Sequence, residues 1–149
     1  MVIDSQGFPR LADFGFVKQL ASIDARTYTP CGSPDYVSPE MLAGIGITIT
    51  GDFWSLGVMI YEMLCAGQLP FTKDSNEADT IRNIMNECWS WPITGCSATA
   101  EAKDIVKRLL HPMPSCRLGS GLDGHKNMAN HPWFEAFDWA HLINKTMRP

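Results

Sequence analysis

The chain has 149 residues, 45% hydrophobic and 19% charged, the size and composition of one ordinary globular domain. Its formal net charge of −4 offers no basic surface for nucleic acid or for an anionic membrane. The longest apolar run, Val58 to Tyr61 and on past Glu62, is too short and too interrupted to span a bilayer, and Asp4 and Gln6 break up any signal-peptide pattern. The five cysteines (Cys31, Cys65, Cys88, Cys96 and Cys116) are odd in number and have no CxxC spacing. His111, His125, His131 and His141 add no zinc-type cluster. Reduced structural thiols in a cytoplasmic protein are therefore expected.

Met1 to Asp4 and Phe8 to Ala12 read as two short strands around a turn at Ser5-Gln6-Gly7. A strand that starts at the first residue suggests a piece of a larger structure. Next come Asp13-Phe14-Gly15, Lys18, a polar loop from Ser22 to Thr29, and Cys31-Gly32-Ser33-Pro34-Asp35-Tyr36. Ser38-Pro39-Glu40 then begin a short helix through Leu42, and Gly44 and Gly46 break it. Asp52 is a good N-cap for a helix running to Leu64, because its carboxylate can accept from free first-turn amides. Between Phe53 and Leu64 only Ser55, Gly57 and Glu62 are not apolar, so this helix is expected at the centre of the fold.

Ser75 to Cys88 has helical spacing, with acidic residues early, and Trp89 to Pro92 is an aromatic connector. Ser97 or Thr99 can cap a helix through Leu110. Its Ala102, Ile105, Val106, Leu109 and Leu110 face one way, and its charged residues face the other. Pro112 and Pro114 stop it, and Gly119 to Gly124 is a loop. Met128 to Phe134 and Asp138 to Ile143 are short helical candidates. The expected fold is mainly α, with a small N-terminal β-hairpin.

Asp13-Phe-Gly and Ser38-Pro-Glu40 resemble the two ends of a protein-kinase activation segment. Thr27 to Tyr36, Asp52-Phe-Trp-Ser-Leu-Gly57, Leu69-Pro-Phe71, Arg117-Leu-Gly119 and His131-Pro-Trp-Phe134 follow in the order of that family. The chain resembles the C-terminal lobe of a serine/threonine kinase of the AGC group. It is most similar to the cyclic-nucleotide-dependent kinases, the cGMP-dependent type slightly ahead. The resemblance implies a partial kinase domain over 1–149, with an activation segment at 13–40 and a helical lobe at 38–143. The Gly-rich loop, strand lysine and His-Arg-Asp catalytic loop are absent from these residues.

The same resemblance implies roles for individual residues. Asp13 would ligate the Mg²⁺ that bridges to ATP phosphates, Phe14 would pack, and Gly15 would let the backbone bend. Thr29 would be the activating phosphosite, with an upstream activating kinase possible. Lys18 would contact its phosphate, Arg26 is close in sequence, and Thr27 and Ser33 are rival sites. Ser33 and Tyr36 would border the peptide groove. Glu62 should reach an edge or a cation, because a buried unpaired carboxylate is costly. By resemblance it would bind a substrate arginine, and a structural ion pair is the alternative. Glu40 and Arg117 would form a structural ion pair, and Asp52 would brace the catalytic loop as well as cap its helix.

The implied activity is transfer of the ATP γ-phosphate to Ser or Thr in Arg/Lys-rich protein substrates. Residues 1–149 alone are expected to be inactive, because the catalytic base and the phosphate-binding lysine are absent from them. The alternative is a non-catalytic interaction module, docking partners through Ser75 to Trp91, or a truncated gene product.

Overall fold

The computed structural model describes residues 1–29, 31–72 and 76–147. Ser75, the expected start of one helix, lies outside the described residues. Strands β1 (Val2–Ile3) and β2 (Pro9–Arg10) pair antiparallel, with Val2 opposite Arg10. Asp4 organises their turn. Its Oδ1 accepts from the backbone of Gln6 and Phe8, and its Oδ2 accepts from Arg10 Nε at 2.9 Å. Helices follow: α1 (Pro39–Leu42), α2 (Thr50–Leu64), α3 (Glu77–Met85), α4 (Ala100–Leu109), α5 (Gly124–Ala129) and α6 (Trp139–Ile143). Short 3-10 turns at Pro34–Tyr36, Pro114–Cys116 and Pro132–Phe134 each begin on a proline, whose fixed φ suits a first helical position. The fold is mainly α-helical with a small N-terminal hairpin.

Helix α2 is the centre. Trp54, Val58, Ile60 and Tyr61 are buried in it and meet Ile105, Val106, Leu109 and Leu110 from α4 and its C-cap. Gly57 lets the two helices approach. A Cβ there would stand 2.8 Å from Leu109 Cβ and 3.0 Å from Leu110 Cδ2. Phe71 stacks on Trp54 with ring centroids 5.3 Å apart, and Trp91 stacks on Tyr61 at 4.9 Å. The aromatic connector thereby closes the far end of the core, where offset stacking adds to simple burial.

Helix caps separate what local sequence dictates from what it does not. Asn76, Thr99 and Asp138 each cap their helix by accepting from a first-turn amide. Asp52 does not cap α2. The helix starts at Thr50, so Asp52 is its third residue and Ile49 takes the cap position. Thr48 makes the earlier start possible, because its Oγ1 accepts from Thr50 N at 3.3 Å and pairs with Thr50 Oγ1 at 2.8 Å. The expected helix over Met128 to Phe134 is also displaced. Helix α5 begins at Gly124, at the end of the expected loop, and Pro132 starts a separate 3-10 turn. Proline has no N–H to continue the α5 ladder.

Candidate functional site

The segment from Asp13 to Glu40 runs across the lobe above α2. Asp13 adopts a left-handed backbone, φ 65°, and its Oδ1 accepts from Gly15 N at 3.3 Å. The left-handed residue of this bend is thus Asp13 rather than Gly15, a conformation that a short polar side chain tolerates. Phe14 does not pack as expected. It is 65% exposed, and its neighbours Leu11, Phe16 and Val17 are exposed as well, so the described residues build no apolar wall around it.

Asp13, Lys18, Thr29, Cys31 and Asp52 share the lining of an open cleft of about 900 Å³. Lys18 Nζ donates to Thr29 Oγ1 across eleven residues of chain. Arg26 turns elsewhere and donates to Ile45 O at 2.9 Å and Gly46 O at 3.1 Å. A single antiparallel bridge between Thr27 and Ile47 holds the loop against the approach to α2. Gly46, φ 82°, permits this, since a Cβ there would collide with the Tyr28 ring at 2.6 Å. Asp52 is exposed at its surface but crowded by protein beneath, and this loss of solvation raises its pKa. Among the described residues no three His, Cys, Asp or Glu side chains cluster as metal ligands.

The second half of the segment is tied down by α2 and the chain beyond it. Tyr36 Oη donates to Glu62 Oε2 at 2.5 Å. Burial pushes the Tyr36 phenol up to about 12, and the Glu62 carboxylate adds to the shift. Glu62 is half-buried, so it reaches an edge as expected, and the partner it meets there is a phenol rather than a cation. Ser55 Oγ donates to Tyr36 O at 2.9 Å, and Thr72 Oγ1 donates to Asp35 Oδ1 at 2.5 Å. Ser33 sits just before the 3-10 turn and makes no side-chain cap; it borders a small cavity of about 130 Å³ with Tyr36, Asp52 and Ser55.

Sequence reasoning did not single out Ser55 or Thr72. Ser55 had a signal, as one of three non-apolar positions in a buried helix; Thr72 had none.

At the far end of the segment Glu40 and Arg117 meet across 77 positions. Arg117 Nη1 donates to Glu40 Oε1 at 2.6 Å and Nη2 to Oε2 at 2.8 Å. The remaining donors go to carbonyls, Nε to His111 O at 3.0 Å, Nη1 to Thr50 O at 2.9 Å and Nη2 to Pro112 O at 3.3 Å. All five guanidinium N–H groups are thus used. The two side chains are 0% and 2% exposed, and the guanidinium carbon lies 5.1 Å from the Trp54 ring centre. One side chain joins α1, the start of α2 and the chain after α4.

These features define a helical lobe with a long segment locked at its far end, as in a protein kinase. The chain belongs to the protein kinase domain family, whose model matches residues 1–134. It is 35% identical over 150 residues to the cGMP-dependent protein kinase of Eimeria tenella, covering 100% of this chain and 14% of that protein. The same figures hold for the cGMP-dependent protein kinase of Toxoplasma gondii. Identity is 34% over 149 residues to the cAMP-dependent protein kinase catalytic subunit of Arthrobotrys oligospora, covering 100% of this chain and 27% of that protein. The chain thus spans 14% to 27% of the length of these relatives. No helix among the described residues is long and apolar enough to cross a membrane.

Proposed function

We propose that this chain is the substrate-binding lobe of a serine/threonine protein kinase that transfers the γ-phosphate of ATP to basic protein substrates. Residues 13–40 act as its activation segment and 38–143 as its helical lobe. The observation that carries the reading is the Lys18–Thr29 contact, inside a segment whose far end is locked by Glu40 and Arg117. A phosphate on Thr29 would meet the Lys18 ammonium at once, replacing a hydrogen bond to a neutral hydroxyl by one between opposite charges.

Asp13 suits the metal role. It is a carboxylate at the rim of the cleft, and Mg²⁺ is commonly held by one or two carboxylates together with nucleotide phosphates. When bound, MgATP supplies the phosphoryl group and neutralises its charge. Ser33, Tyr36 and Glu62 form the acceptor side. Tyr36 occupies Glu62 Oε2, and the carboxylate charge next to it favours a substrate with Arg or Lys N-terminal to its Ser or Thr.

Phosphopeptide mapping of the protein from cells tests the segment, with Thr29 phosphorylated as the expected result and Thr29 always unmodified as the overturning one. A radiolabel transfer assay with an Arg-rich peptide tests the chemistry. A polypeptide of residues 1–149 contains no His-Arg-Asp base, a group worth about 10²–10⁴ in rate, and should match its own Asp13→Ala control. Turnover above that control would refute this division of labour. A second reading, an interaction module, draws on the exposed Val2, Ile3, Leu11, Phe14, Phe16 and Val17. A monodisperse complex with one specific partner, without phosphate transfer, would favour it.

A further inference from the structure

The geometry points to an arginine-binding corner beyond α5, where the rings of Phe134, Phe137 and Trp139 and the carboxylate of Glu135 hold a guanidinium carried by a partner protein. These four side chains line one open cavity of about 450 Å³. It shares no lining residue with the cleft at Asp13 or the small cavity beside Tyr36, so the corner stands apart from the proposed activation segment and substrate groove.

Local bonding fixes the corner in place. His131 is buried; its Nδ1 accepts from Trp133 N at 3.2 Å, and its Nε2 meets Asp104 Oδ2 of α4 at 3.0 Å. Phe134 N donates to His131 O at 2.8 Å and Phe137 N to Phe134 O at 2.9 Å, which turns the chain back on itself. Asp138 Oδ1 then caps α6 by accepting from His141 N, so Trp139 is the first residue of that helix. Phe134 packs against the core, whereas Trp139 is 39% exposed. The aromatic set thus runs from the core out to solvent.

The three rings touch, but none lies parallel to another. Phe134 and Phe137 are 6.0 Å apart at 71°, Phe134 and Trp139 5.0 Å apart at 52°, and Phe137 and Trp139 4.7 Å apart at 65°. Rings inclined in this way let one small ligand reach more than one π face. A cation within about 6 Å of a ring centre is attracted by the ring quadrupole. Glu135 supplies the negative charge. It is exposed, and among the described residues no cation pairs with it or lies over the three rings. His131 is the other ionisable group lining the cavity, and Asp104 already holds it.

The interior of this lobe shows the same set of groups completed. Arg117 forks the Glu40 carboxylate and lies 5.1 Å from the centre of the Trp54 ring, which itself stacks on Phe71. The surface corner presents a carboxylate and aromatic faces of the same kind. Arginine suits them because its guanidinium is flat, weakly hydrated and carries N–H groups in a fork that matches a carboxylate. A lysine ammonium is compact and strongly hydrated, and a quaternary ammonium has no N–H to give Glu135. The net charge of −4 favours the approach of a basic partner.

The test is an NMR titration of the 149-residue chain with the acetylated, amidated peptide Gly-Gly-Arg-Gly-Gly. The indole N–H resonances of the five tryptophans are followed, with that of Trp139 assigned from Trp139→Phe. The Trp139 resonance should move progressively, and peptides with lysine or neutral citrulline in place of arginine should bind about twofold or more weakly. Glu135→Gln, at an exposed position, should weaken the arginine peptide about two- to fivefold while circular dichroism stays unchanged, as for a solvated ion pair. A Trp139 resonance that does not respond would overturn the inference, as would citrulline or lysine peptides that bind as well as arginine. Tetramethylammonium chloride moving the resonance as strongly would reassign the corner to alkylated ammonium ions. Binding weakened by Glu62→Gln and not by Glu135→Gln would place the arginine in the substrate groove and overturn the inference too.

Discussion

Replacing Arg117 by alanine should unfold this lobe far more readily than replacing Arg108, although both arginines pair with carboxylates. Arg117 is fully buried and holds both oxygens of Glu40, at 2.6 and 2.8 Å. Without it the Glu40 carboxylate stays in the interior with no countercharge, and breaking one side of such a pair typically costs about 3–5 kcal/mol. The carbonyls of Thr50, His111 and Pro112 lose a donor too, each a further penalty of about 1–3 kcal/mol if water cannot reach it.

Arg108 reaches Asp104 at 2.8 Å, but the two side chains are 60% and 43% exposed. A solvated pair of this kind contributes about 0–1 kcal/mol. For a chain of this size each kcal/mol moves the melting point by about 2–4 °C. Arg117→Ala should therefore melt about 6–20 °C below the parent, and Arg108→Ala within about 4 °C of it. Thermal unfolding followed by circular dichroism reads this directly. Equal melting points for the two variants would show that the buried pair is not what holds the segment's end to the lobe.

The approach of α2 to α4 yields a paired test. Gly57→Ala should destabilise by about 1–3 kcal/mol through overpacking against Leu109 and Leu110, less up to about 1 kcal/mol of helix propensity regained. Gly51→Ala, whose nearest contact would be Ile47 Cβ at an ordinary 3.5 Å, should be neutral or slightly stabilising. Urea unfolding distinguishes them, and matching midpoints would contradict the close-approach argument.

At alkaline pH the phenols of Tyr36 and Tyr61 are both held up to about 12, chiefly by burial. Folding is thus favoured fully below their ordinary value near 10, and that contribution is lost as pH rises towards about 12. Tyr36→Phe should flatten the fall in urea midpoint between those limits; parallel curves for variant and parent would count against the Tyr36–Glu62 contact.

Much of this molecule follows from local sequence. The apolar run from Phe53 to Leu64 made α2 the central helix, since a helix apolar nearly all round can only be buried. Ser97 or Thr99 marked the start of α4, because a hydroxyl before an amphipathic stretch satisfies a free amide wherever the helix lies, and Thr99 is the one that caps it. The order of Asp13-Phe-Gly, Ser-Pro-Glu40 and the later motifs was enough to expect the family.

Other features needed the folded chain. Asp52 had the chemistry of a cap, but the helix starts earlier, where Thr48 and Thr50 bond locally and Arg117 holds the Thr50 carbonyl from 67 positions away. Glu62 was recognisable as a carboxylate in need of a partner. Its partner was decided by the distance between Tyr36 and α2, 26 residues apart. The reach of Arg117 to three separate carbonyls has the same origin. Sequence determines which groups must be satisfied or buried. Which groups meet across tens of residues is decided only when the helices pack, because many pairings satisfy the same local demand and the packed core admits one.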